Sequence, residues 1–193
     1  MGVEENSVIE NIKTRRSVME YTDREVSDED IKTIIDAGIH APSGFNSQPW
    51  FFVVVKNREM MKRMSDHCKP RLLAMLEEAT NDAAVEFKKK LEKEEFHIFY
   101  DAPVLIIVLG NNADVAVDYD CALCAENMML AAHSMGIGSC WVGTGCFIQD
   151  NPEILEELGI TPDYRVIAPI VFGYPVKEPE EPPKKEPEIV WVY

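Results

Sequence analysis

Three short stretches combine residue types that could do chemistry. The first is Ala41-Pro42-Ser43-Gly44-Phe45-Asn46-Ser47-Gln48-Pro49. Its two prolines hold their own φ and push the residues before them out of the α region, while Gly44 is free to take φ > 0. A backbone this bent and stiff aims its amides, and the side chains of Ser43, Asn46 and Gln48, in set directions that suit a planar ligand. The same residue types also make ordinary connecting loops. The second stretch is Lys13, Arg15 and Arg16 beside Ser17, a cationic cluster in a chain of net charge −15. Guanidinium forks match phosphate oxygens and Ser17 adds a donor; a solvated basic face at a helix C-terminus fits the residues equally well. The third, Met135 to Gly145, carries glycines at 136, 138, 143 and 145, so its backbone either approaches something closely or takes unusual dihedral angles. Its spacing fails the dinucleotide-binding fingerprint and no strand precedes Gly136.

These stretches need elements to position them. The loop at 41–49 runs into Trp50 to Val55, six apolar residues without alternation, which predicts a strand covered on both faces. Val104 to Leu109 predicts a second buried strand. Before the basic cluster, Val8, Ile9 and Ile12 fit one face of a short helix. Ser27 caps a helix carrying Ile31, Ile34, Ile35 and Ile39, and Asn57 opens a helical pattern over 58–66. The charge-dense 70–95 segment reads as a helix pair capping the site, followed by His97, Phe99 and Tyr100, which read as packing residues, although an aromatic there could stack on a substrate. From Val117 to Met135 the residues are apolar or small nearly all round, as in a central helix of a dimer core. Cys121 and Cys124 lie inside that helix without a second pair at zinc spacing, so they read as core-facing. Asn151-Pro152 starts a short helix that Gly159 ends, and Arg165 to Phe172 is a strand whose Pro169 suits an edge or a bulge. The proline-rich 176–188 stretch must be extended, yet Ile189-Val190-Trp191-Val192-Tyr193 is a strong strand signal that has to add to a sheet edge. We expect it to cross to a partner subunit related by two-fold symmetry.

Composition bounds what such a chain can do. Its 193 residues, 46% hydrophobic and 27% charged, suit one globular domain with a sizeable core. A charge of −15 repels phosphate backbones and anionic lipid heads, which argues against nucleic-acid and membrane partners. Acids near the start and the lack of a long apolar run predict a cytoplasmic protein without leader or membrane span. Five cysteines, an odd number, are expected as reduced thiols.

Ala41, Pro42, Ser43, Gly44, Asn46, Gln48, Pro49 and Trp50 resemble the loop of the nitroreductase family of flavin enzymes, and the resemblance extends in order through Arg15-Arg16-Ser17, Gly138-Ser139-Cys140-Trp141-Val142-Gly143, Gly173-Tyr174-Pro175 and the terminal strand. It implies an α+β (α/β three-layer) fold, a central mixed, mostly antiparallel sheet flanked by helices. It also implies a homodimer, with residues 1–175 as the FMN-binding domain and 176–193 as an arm exchanged with the partner. By the same resemblance, Arg15, Arg16 and Ser17 grip the FMN phosphate; Pro42, Ser43, Gly44, Asn46 and Gln48 meet the flavin. Trp141, Val142, Gly143 and Thr144 run along its N5 and O4 edge, and Lys184 or Lys185, the latter preferred, supplies a second phosphate contact. Met19 stands where the family has a cation near N1 and O2, which should make the flavin harder to reduce unless another donor substitutes. The implied activity is ping-pong hydride transfer from NAD(P)H through flavin N5 to a nitroaromatic, quinone or similar acceptor, with no side chain required as acid or base. Reductive dehalogenation, enone reduction or a non-catalytic FMN-binding module are the alternatives.

Overall fold

The computed structural model describes residues 6–193. Its helices start where capping chemistry allows. Asn6 accepts from Val8 N at 2.9 Å to open α1 (Ser7–Thr14), and Ser27 accepts from Asp30 N at 3.0 Å to open α2 (Asp28–Ile39). After the edge strand β1 (Trp50–Val55), Asn57 caps α3 (Arg58–Met75) and Asn81 caps α4 (Asp82–Leu91). Then follow β2 (Val104–Asn111), α5 (Val117–Ser134), β3 (Gly138–Trp141), α6 (Pro152–Glu157) and β4 (Tyr164–Gly173). Asn151 caps α6, and Gly159, with φ +69°, lets the chain turn away after it.

The four strands pair antiparallel in the order β1-β2-β4-β3. Among the described residues a parallel contact enters only through the isolated bridge between Ser17 and Ser139. The sheet divides the core into two layers. Val104, Ile106, Val108, Ile170 and Phe172 face α2 and α5; Leu105, Ile107, Leu109 and Val171 face α3, α4 and the 3-10 turns of Gly143–Asp150. Helices on both faces of one sheet make the three-layer α+β arrangement. Cys121 and Cys124 are fully buried under this sheet, and all five cysteines are free thiols.

Two expectations change, and of the two readings of Pro169 the bulge holds. Trp50–Val55 is not covered on both faces: β1 is an edge strand, and Phe51 and Val54 are each 41% exposed. The unbroken apolar run reflects packing of Val53 and Val55 on one layer and of Trp50 and Phe52 on the other, not enclosure. β4 is an internal strand, so Pro169 does not mark an edge. It follows a bulge at Ile167, where the register jumps from Val108↔Ala168 to Leu109↔Val166. Val142 N donates to Pro169 O at 2.8 Å, just after β3 ends, so the N–H that proline lacks faces a position with no ladder partner. Finally, α3 runs through Pro70 to Met75 because Met61, Met64, Cys68 and Leu72 continue one buried stripe past the proline.

Candidate functional site

At the C-terminal end of α1 the chain turns extended at Arg15 (φ −57°, ψ 135°) and lies down beside β3. Val18 N donates to Ser139 O at 2.9 Å, and Val18 is 5% exposed. The approach is close because Gly138 has no side chain. A Cβ there would meet Val18 Cγ2 at 2.6 Å and its Cβ at 2.9 Å, on a stiff β-branched residue. Gly138→Ala is therefore expected to cost ~1–3 kcal/mol by overpacking and to weaken ligand binding by lifting Arg15 to Ser17 off β3. Urea unfolding together with cofactor titration checks this.

This junction forms one wall of a cavity of about 450 Å³ lined by Thr14, Arg15, Arg16, His133 and the Gly136–Ser139 backbone, with Glu178 and Glu181 reaching in from the arm. Both guanidiniums are largely covered, with side chains 24% and 15% exposed, and both already hold carboxylates. Arg15 Nε lies 3.4 Å from Glu126 Oε1, and Arg16 Nη2 lies 3.3 Å from Glu181 Oε1. Arg16 also donates to Arg15 O at 2.8 Å, which fixes its fork. Gly136, at φ +72°, has open space where a side chain would project. Ser17 is exposed and hydrogen-bonded to the Cys140 thiol; burial pushes that thiol up, and Ser17 and Arg15 partly oppose the shift. Two covered guanidiniums and hydroxyls around a cavity suit a phosphate dianion, provided that Glu181 yields its place.

On the other side of this segment Met19, 50% exposed, faces a chamber of about 730 Å³ with Tyr21, Lys90, Lys93, His97 and Tyr100. Tyr21 donates its hydroxyl to Val18 O at 2.5 Å, and burial, followed by Cys140 and Tyr100, drives its phenol far up. Burial pushes the His97 ring down, so it is neutral near pH 7, with Nδ1 accepting from Phe99 N at 3.2 Å. Phe99 is a packing residue, fully buried, whereas His97 and Tyr100 line the chamber. Lys90 and Lys93 are cations lining the same chamber as Met19.

The 41–49 loop is strained, but not at Gly44. Left-handed φ values fall on Phe45 (53°), Asn46 (58°) and Gln48 (47°), whereas the positive-φ glycines are 136 and 159. Each such residue costs ~1–3 kcal/mol and persists only where its surroundings over-determine it. Here they do: Gly44 N donates to Asp120 Oδ2 at 3.1 Å, Gln48 N to Ser43 Oγ at 3.0 Å, and Asn46 N to Ser43 O at 3.0 Å. The Ser47 hydroxyl holds the Asp114 carboxyl below its usual range. Asp120, 5% exposed on α5, is the anchor that sequence reasoning missed; a lone acid on the core-facing stripe between Ala116 and Cys124 was its signal. Phe45 is fully exposed at the loop tip, and Pro42, Asn46 and Gln48 are exposed beside it.

One protomer does not bring these parts together. The loop precedes Trp50, which pairs with Gly110 opposite Arg165, whereas Ser17 and Gly138 sit beside Gly173 at the far end of β4. Eight residues of strand separate them, ~26 Å. Trp141 to Thr144 leave β3 beside Ile170 and Pro169, with exposed Gly143 opening onto free space. Lys184 and Lys185 are exposed on the arm, and among the described residues neither makes a hydrogen bond or ion pair. Three apolar surfaces are also left bare: Val8 (62%) and Ile12 (49%) on α1, Tyr119 (76%) and Leu123 (47%) on α5, and all of Ile189 to Tyr193.

The sequence profile of the Nitroreductase family matches residues 12–174. The chain belongs to that family. A protein of Archaeoglobus fulgidus, provisionally named an NADH dehydrogenase/NAD(P)H nitroreductase, is 36% identical over 86% of this chain and 84% of its own length. The NADPH-flavin oxidoreductase of Vibrio harveyi is 30% identical over 96% of this chain and 72% of its own. Among solved structures, a nitroreductase from Bacteroides fragilis crystallised with bound FMN superposes with a TM-score of 0.79 at 30% identity, covering 97% of this chain and 100% of that one. The nitroreductase fold is thus shared from α1 to β4. Among the described residues no helix is long and apolar enough to cross a membrane, and no cluster of metal-ligating side chains occurs.

Proposed function

We propose that this nitroreductase-family chain is an FMN-dependent NAD(P)H oxidoreductase acting as a homodimer, on a nitroaromatic, quinone or similar acceptor. The observation that carries the reading is the pair of covered guanidiniums, Arg15 and Arg16, around a cavity of about 450 Å³ at β3. They hold the phosphate, with Ser17 as an added donor. Bound there, FMN would supply the hydride-transfer chemistry at its N5. The chain's own work is binding and orientation. Trp141 to Thr144 offer backbone along one ring edge, and the rigid 42–48 loop, ~26 Å away in its own protomer, reaches the ring of the partner's site across the two-fold axis. The arm carries Lys184 or Lys185 to the phosphate by the same exchange. Tyr21, Tyr100 and His97 wall the chamber where donor and acceptor take turns, which fits a ping-pong scheme with no side-chain acid or base.

Anaerobic titration of FMN-loaded protein with NADH and with NADPH tests the reading: bleaching of the flavin absorbance by either one, and its recovery on adding an acceptor, is expected. Colour that neither nicotinamide bleaches would make the chain a non-catalytic FMN carrier. Met19 allows a finer test. Met19→Lys is expected to raise the midpoint potential of bound FMN by ~30 mV, which is about 1.4 kcal/mol for a two-electron couple. An unchanged potential would mean that position 19 does not sit by the ring.

A further inference from the structure

We propose that His133 is a proton-linked ligand of the cofactor phosphate, neutral in the free protein and protonated once the phosphate is seated. This rests on the FMN reading above and adds to it a residue and a pH dependence.

His133 lies in the last turn of α5, on the wall of the cavity that also holds Arg15 and Arg16. Its Nε2 is 2.9 Å from Thr14 Oγ1. The single hydroxyl proton of Thr14 already goes to Glu10 O at 2.8 Å, so the Thr14 oxygen must accept and His133 Nε2 must donate. That fixes the tautomer: in the neutral ring Nδ1 carries a lone pair. A lone pair repels a phosphate oxygen and an N–H attracts it, so the ring serves a phosphate only when protonated.

The charges around the ring set when that happens. On α1 and just past it are Glu10, Lys13, Arg15 and Arg16; on the arm, Glu178 and Glu181; on α5 itself, Glu126, which is paired with Arg15. Burial, then Arg15, holds the ring below its ordinary value, with Glu178 opposing and Arg16 adding to the shift. The free ring is therefore neutral at pH 7. A phosphate brings a charge of about −2 against both guanidiniums and must displace Glu181 from Arg16, which makes the surroundings of the ring more negative and raises the affinity of His133 for a proton. With the bound value above the free one, FMN affinity rises as pH falls through the bound value and levels off below the free one. The second ionisation of the phosphate, near ~6, acts in the opposite sense, so the His133 contribution is read as a difference between proteins.

Calorimetric titration of FMN into the FMN-depleted full chain, in buffers of different ionisation enthalpy at about pH 7, measures proton uptake directly. His133→Gln keeps an N–H for Thr14 but cannot titrate. Wild type is expected to take up as much as about one proton more per FMN than His133→Gln, and riboflavin, which has no phosphate, should show no such difference. NMR titration of the four histidines of the wild type keeps the test open if the variant folds poorly: one imidazole should titrate at higher pH with FMN than with riboflavin. Equal proton uptake in both proteins, or four imidazoles that ignore FMN, overturns the role of His133 while leaving the FMN reading intact. Failure of the wild type to bind FMN overturns that reading and this inference with it.

Discussion

Arg15→Ala is expected to weaken FMN binding by ~1.5–3 kcal/mol, roughly a tenfold to hundredfold rise in Kd. The magnitude follows from what the side chain does. Its guanidinium is three-quarters covered and its partner is the half-exposed carboxylate of Glu126, so a phosphate there exchanges a weak surface ion pair for a charge-assisted contact. Riboflavin affinity should hardly change, because the lost contact concerns the phosphate alone. Arg16→Ala is a poorer probe, since that fork also anchors Arg15 O and its loss would loosen the turn itself. Flavin fluorescence titration of the wild type and Arg15→Ala gives both constants; unchanged FMN affinity would remove Arg15 from the site.

Deleting residues 189–193 is expected to have the second large effect, on assembly. Trp191 is 71% exposed, Val190 89%, and Tyr193, stacked on Trp191 at 6.3 Å, has its whole side chain in solvent. Burying one such side chain is worth ~1.5–3 kcal/mol before ordering costs. With ordering of the 176–188 tether set against five of them, a net ~4 kcal/mol, or about a thousandfold in dimer Kd, is a fair expectation. The face formed by α1 and α5 would remain to hold the two copies weakly. Sedimentation of the shortened chain across a concentration series measures the change. A truncated protein that dimerises as tightly as the full chain would mean that the arm packs on its own protomer.

Much of this was legible from residue types, and the exceptions have physical causes. Caps at Ser27, Asn57 and Asn151 announced their helices because an N-cap depends on local hydrogen bonding alone. β2 was legible as a fully buried strand because nothing interrupts its apolar run. By contrast β3, only four residues long and opening Gly138-Ser139, carries almost no strand signal; it is a strand because β4 pairs with one side of it and Ser17 to Val18 lie along the other. Pro169 was legible as marking an edge or a bulge; which of the two it is depended on where β3 stops, a tertiary fact that no local pattern encodes. The 41–49 loop was recognisable by its residue-by-residue resemblance to the family's loop, since its composition alone fits an ordinary connector. Gly44 was the position expected to be free for positive φ, yet Asp120, seventy-six positions along, holds its N–H, and the positive φ values fall on Phe45, Asn46 and Gln48 instead. Sequence also offered candidate site residues without revealing that they fall at opposite ends of one sheet.

That division makes assembly the point on which everything else turns. Native mass spectrometry of the full chain, mixed with excess FMN and freed of unbound flavin, counts subunits and cofactors in one spectrum. The account predicts a dimer carrying two FMN molecules, with monomers losing flavin as they separate. A monomer that retains FMN, or a dimer that retains none, would contradict it.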